Sequence, residues 1–166
     1  MQKKIFKHFI IIALLLIALP SLANDSTRLY NPAANVAKDM QQVLAKAKKE
    51  KKHVLIQIGG NWCVWCYRFN SFVQLDTTLK NIMENNYVVY HLNYSPENKN
   101  LDYLKKLGYP QRFGFPVMVV LDADGNRLNT QDSALLEKGN GYDKEKVQSF
   151  FANWAPAAFN ESHYKE

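Results

Sequence analysis

The stretch His53-Val54-Leu55-Ile56-Gln57-Ile58-Gly59-Gly60-Asn61-Trp62-Cys63-Val64-Trp65-Cys66 decides how this chain is read. Its first six residues form a short apolar run, as in a buried strand, and Gly59-Gly60 ends it. Residues from Trp62 to about Leu79 are expected to form a helix with Cys63 in its first turn. Two cysteines separated by two residues therefore sit where a strand hands over to a helix. They are the only cysteines in the chain.

Working outward, Val36, Ala37, Met40, Val43, Leu44 and Ala47 recur at helical spacing, which predicts an amphipathic helix over Val36 to Lys52. Downstream, Tyr87 to Asn93 is rich in branched and aromatic residues and reads as a second strand. Leu101, Leu104 and Leu107 mark a short helix closed by Gly108. Val117 to Leu121 is a third strand behind Pro116. Asp122-Ala123-Asp124-Gly125-Asn126 is turn chemistry leading to a fourth strand near Arg127 to Asn129. A looser stretch runs to Gly141, and Tyr142 to Trp154 closes the domain as a helix with Val147, Phe150 and Phe151 on its apolar side. The order is helix, strand, helix, strand, helix, strand, strand, helix. That order describes an α/β fold, a central mixed sheet with helices on both faces.

The first 23 residues have a different character. Lys3, Lys4 and Lys7 precede an unbroken apolar run from Phe9 to Leu19, and small residues follow at Ser21 and Ala23. This is the three-part layout of a secretory signal peptide cleaved after Ala23, with an uncleaved membrane anchor as the alternative. The expected organisation is a signal peptide over 1–23, a short lead over 24–35, one domain over 36–154 and a tail over 155–166. The formal charge of +6 includes the three signal lysines; without them 18 basic and 15 acidic residues leave +3. So mild and evenly spread a balance gives no argument for nucleic acid. The lysines from Lys46 to Lys52 read as a solvated helix face near a C-terminus, where cations suit the helix dipole.

The cysteine pair carries the chemistry. Its spacing brings both sulfurs within bonding reach, and the start of a helix offers Cys63 unpaired N–H groups and a positive dipole end that favour a thiolate. Three other readings compete with redox chemistry. A structural disulfide closing so small a loop removes little unfolded-state entropy. A zinc site needs two further ligands, and His53, His91 and His163 lie far apart without ligand spacing. Covalent haem attachment requires histidine after the second cysteine, where Tyr67 stands. No metal or organic cofactor is therefore expected.

Gly60-Asn61-Trp62-Cys63-Val64-Trp65-Cys66, followed some fifty residues later by Gly114-Phe115-Pro116 before an apolar strand, resembles the thioredoxin superfamily. The resemblance extends over about Val36 to Trp154 and is nearest to exported bacterial thioredoxin-like and disulfide-isomerase-like proteins that begin with a long helix in place of a first strand. It implies that Cys63 is the nucleophile, Cys66 the resolving thiol and Pro116 a cis-proline. It also implies that Phe115 offers backbone groups to an extended substrate. Trp62, Trp65 and Phe115 would surround the reactive sulfur with apolar surface for docking protein substrates; ordinary packing is the other reading, and it suits Trp62 better than Trp65.

Two departures stand out. The family keeps a buried acid six residues ahead of the first cysteine, and here Gln57 occupies that position and cannot titrate. A lysine often accompanies that acid on the next strand; the matching residue is His91, which either takes over as a proton relay or is a hydrogen-bonded strand residue. The second departure is Val64-Trp65 between the cysteines, with no histidine beside Cys66, which leans toward a reductase or isomerase over an oxidase. The expected protein is thus an exported thiol–disulfide oxidoreductase acting on protein substrates with thiols or disulfides. A membrane or periplasmic redox partner would serve it. A bacterial periplasm is the preferred location, with secretion the alternative. A reading from another class is a periplasmic chaperone or partner-binding module with little redox turnover.

Overall fold

A computed structural model of the chain describes residues 28–165. The signal peptide expected over residues 1–23 lies outside them. The first helix, α1 (Val36–Glu50), starts on Asn35, whose side chain accepts from the Lys38 N–H at 3.1 Å. It ends at Lys51 in the left-handed region, with φ of 54°. Lys46, Lys48, Lys49 and Lys51 are exposed, and Lys48 pairs with Asp124 at 2.9 Å.

Strand β1 (His53–Gly59) is buried along its whole length. It runs parallel to β2 (Tyr87–Asn93) and antiparallel to β3 (Val117–Leu121), which pairs with β4 (Arg127–Asp132). The sheet order is β2-β1-β3-β4, a mixed sheet with β1 inside it. Because successive strand residues face opposite sides, Val54, Ile56 and Ile58 join the core under α1. Leu104 of α4 (Leu101–Lys106) belongs to that same layer. Leu55 joins the second core, with Phe69, Val73, Leu79, Met83, Val147 and Phe151. Helices therefore cover both faces, as the element order led one to expect.

The helix after the cysteine motif departs from expectation. It is two helices, α2 (Val64–Leu75) and α3 (Thr77–Asn86), separated at Asp76. Asp76 takes an extended conformation and its carboxylate accepts from the Thr78 and Leu79 N–H groups at 2.9 and 3.1 Å. A new N-cap at that point starts a second helix, because an aspartate so placed satisfies donors that would otherwise lack partners. Lys144 reaches the same carboxylate at 2.7 Å and ties α3 to the closing helix α5 (Lys144–Asn153). Between β4 and α5, the looser stretch folds into a 3₁₀ turn and a minimal hairpin, β5 (Glu137–Lys138) with β6 (Gly141–Tyr142). Beyond α5, the chain makes two further 3₁₀ turns, and Phe159 packs edge-on against His53. Among the described residues no helix is long and apolar enough to cross a membrane.

Candidate functional site

The site lies at one end of the sheet, where β1 stops at Gly59. Ile58 pairs with Val117, so Pro116, the residue before β3, is at the same end. The Phe115–Pro116 peptide bond is cis, and Gly114 ahead of it has φ of 85°, a conformation that favours glycine.

Cys63 and Cys66 form a disulfide, with S–S of 2.05 Å and Cα–Cα of 5.3 Å. Cys63 is the N-cap of α2, one position ahead of the first turn expected for it. As a cap, its Sγ accepts the Cys66 backbone N–H at 3.2 Å, and its carbonyl accepts from Cys66 and Tyr67. A negative charge on Cys63 Sγ would therefore face an oriented N–H and the positive end of α2, with no acid in the first turn to oppose it. Cys66 lies deeper, with no exposed surface, against 4% for Cys63. Both cysteines are thus buried, and what little surface the pair keeps belongs to Cys63.

The two tryptophans are placed the opposite way from expectation. Trp62 is 52% exposed, its indole Nε1 donating to the Tyr94 carbonyl at 2.8 Å. Its ring meets Phe115 edge-on at 5.4 Å, and Phe115 stacks on Tyr94 at 4.9 Å, so three aromatic rings form one rim of the site. Trp65 is half-buried, packed at right angles to Tyr142 and carrying the Arg68 guanidinium over its ring. The Tyr142 hydroxyl donates to the Trp65 carbonyl at 3.2 Å, which fixes the first turn of α2 against β6. A partly apolar ring belongs either inside or on a rim; what decides is the turn geometry, which aims Trp62 outward before the helix starts.

Gln57 and His91 are neighbours across the β1–β2 pairing, as the strand positions implied. Gln57 is buried and donates through Nε2 to the Cys66 carbonyl at 3.2 Å and to the Tyr30 hydroxyl at 2.8 Å. His91 meets the Tyr30 ring edge-on at 5.5 Å, and burial holds its imidazole below the usual 6.5. At neutral pH it is therefore uncharged.

Tyr30 is the residue that sequence reading did not single out. It belongs to the lead before α1, yet it is 2% exposed and packs against both cysteines. Asn61 holds it like a strand partner: its side-chain oxygen accepts the Tyr30 N–H at 3.1 Å and its amide donates to the Tyr30 carbonyl at 2.9 Å. The Tyr67 hydroxyl donates to the same Asn61 oxygen at 3.0 Å. The available signal was slight, an apolar Leu29-Tyr30 pair inside a polar lead. Among the described residues no group of three or more His, Cys, Asp and Glu is arranged to hold a metal.

An α/β sandwich with a helix-capping cysteine pair at the end of its central strand and a cis-proline at the same end defines the thioredoxin-like class. The thioredoxin-like domain family matches residues 40–135, more than half of the chain, and the chain belongs to that family. Among solved structures, a disulphide isomerase from Xylella fastidiosa Temecula1 is similar at a TM-score of 0.66 and 22% identity, over 75% of this chain and 95% of that one. The C-terminal domain of DsbD from Neisseria meningitidis is similar in its oxidised form at a TM-score of 0.51 and 19% identity, over 73% of this chain and 97% of that one. In its reduced form the same domain gives 0.53 and 17%, with the same coverage. No curated protein matches the sequence.

Proposed function

We propose that this chain is an exported thiol–disulfide oxidoreductase that exchanges disulfides with protein substrates through Cys63 and Cys66. The observation that carries this reading is the asymmetry of the pair. One sulfur caps a helix and accepts an N–H, while the other is enclosed one turn further in. A cap position lowers the cost of a thiolate on Cys63, the attacking and leaving form. The fold shared with a disulphide isomerase and with the DsbD domain is in keeping with it.

In the exchange, the Cys63 thiolate attacks a substrate disulfide. One substrate sulfur leaves with the bonding pair and the other stays joined to Cys63. Cys66 then attacks Cys63, and the second substrate sulfur departs. The rim of Trp62, Phe115 and Tyr94 supplies apolar area beside Cys63 for an extended substrate segment, with Pro116 at the same end of the sheet. The residues between the cysteines favour reduction or isomerisation over oxidation. Val64 is 61% exposed and apolar, and Trp65 is taken up in packing, so neither adds a charged partner that would hold Cys63 as a strongly stabilised thiolate. Export follows from the layout of residues 1–23, and a periplasmic or membrane redox partner would return the pair to its working state.

The test is Cys66→Ser. With the resolving thiol gone, the variant is expected to accumulate reductant-sensitive adducts on Cys63 when it meets a disulfide-containing protein, read as added mass on the intact chain. A variant that stays unmodified while wild-type protein reduces the same substrate would overturn the assignment of Cys66.

A further inference from the structure

The inner side of Cys66 holds a group whose role the exchange reading leaves open. Two side chains reach that side, Gln57 from β1 and Tyr30 from the segment before α1, and His91 on β2 lies beside Gln57 and meets the Tyr30 ring. Tyr30 lies in no helix or strand, yet both its backbone polar groups are held by Asn61. So firm a tether on an irregular segment fixes where the phenol sits.

Two observations locate the hydroxyl. Gln57 Nε2 donates to it and to the Cys66 carbonyl, so both amide hydrogens are used. The space beside Gly59 is shared by the phenol and the inner sulfur. A Cβ on Gly59 would overlap Cys66 Sγ and lie 2.8 Å from the Tyr30 oxygen, and only glycine leaves that space to them. The phenol oxygen accepts from Gln57, which leaves its own O–H free of that bond and able to donate, and Cys66 Sγ borders the same space.

We propose that Tyr30 donates a hydrogen bond to Cys66 Sγ in the reduced protein and stabilises the Cys66 thiolate as it attacks or leaves. This rests on the exchange reading above and assigns a residue within it. In the resolving step the Cys66 thiol loses its proton to solvent and its sulfur attacks Cys63. The Cys63–substrate bond breaks as the Cys63–Cys66 bond forms, and the substrate sulfur leaves with the electron pair and takes up a proton. Tyr30 keeps its own proton throughout. Burial pushes the phenol well above its usual 10; the hydrogen bond from Gln57 works against that rise, and Tyr67 and Tyr142 nearby add to it. It is a donor at every working pH and never the base. His91, beside Gln57 on β2, meets Tyr30 ring to ring and is uncharged at neutral pH.

Tyr30→Phe removes the hydroxyl and keeps the ring. In a Cys63→Ala background, ultraviolet titration of the remaining thiolate is expected to show the Cys66 pKa raised by about one in Tyr30→Phe, the size of one lost hydrogen bond to a charged group. In the protein with both cysteines, reaction of the reduced form with dithiobis(nitrobenzoate) resolves two steps. The first, attack by Cys63, is expected to keep its rate. The second, resolution by Cys66, is expected to slow about threefold at neutral pH, a tenfold loss of thiolate partly offset by its greater nucleophilicity. Gln57→Leu is expected to give a smaller change of the same sign, and the double variant no more than Tyr30→Phe alone. An unchanged Cys66 pKa in Tyr30→Phe would overturn the proposal even if exchange proceeds. A wild-type protein with no second step would overturn the exchange reading, and the titration would still decide the role of Tyr30.

Discussion

Replacing Cys63 by serine is expected to lower disulfide exchange at least about a thousandfold, to the background of uncatalysed thiol exchange. The attack begins from a thiolate, and a hydroxyl in its place is not ionised at neutral pH. The helix should survive the change. Cys63 is the N-cap of α2 and accepts the Cys66 N–H through its side chain. Serine is among the best residues for that position, so the cap is retained. The disulfide closes a sequence separation of only 3, so its loss removes little constraint from the unfolded chain. Far-ultraviolet circular dichroism should therefore be unchanged while insulin reduction, followed as turbidity, disappears. Turnover by Cys63→Ser within tenfold of wild type would remove the nucleophile from the mechanism.

A second large effect is expected in the core, where Phe151→Ala should destabilise the fold by about 3–5 kcal/mol. Phe151 has no exposed surface and packs on Phe69 of α2, on Tyr87 of β2 and on its neighbour Phe150. The Tyr87 hydroxyl also donates to the Phe151 carbonyl at 2.6 Å. One ring thus joins the closing helix, the sheet and the helix that carries the cysteines. Its removal leaves a cavity that three elements would have to shift together to fill. Against a typical total of about 5–15 kcal/mol, such a loss takes a large share of the stability. Urea titration should show the midpoint falling with an unchanged slope. A loss below about 1 kcal/mol would mean that the second core is not continuous across these elements.

What the sequence made legible follows the strength of local signals. The strands His53–Gly59, Tyr87–Asn93 and Val117–Leu121 are dense apolar or branched runs between turn residues, and they fall within a residue of where those runs lie. The first helix is clear because its apolar face recurs at the helical period. The split of the following helix was harder to see. Apolar residues continue on both sides of Asp76, and only its carboxylate, capping Thr78 and Leu79, marks the break. Within the site, Cys63, Cys66 and the Phe115–Pro116 bond are carried by short motifs and were readable. Tyr30 was not, because its contacts with Asn61 and Gln57 span 31 and 27 residues and leave no periodic trace in a polar lead. The exposure of Trp62 was missed for a related reason, since it depends on how the chain turns between Gly60 and the helix cap. That turn places the Trp62 indole on the Tyr94 carbonyl.

Equilibrating the Cys63–Cys66 couple against glutathione and dithiothreitol buffers is the most direct test that this pair does redox work. A single reversible two-electron transition is expected within the span of the family, from about −270 mV toward about −120 mV, and nearer the thioredoxin end. A couple below about −300 mV, where stable structural disulfides lie, would contradict the exchange function and leave the pair a fixed crosslink.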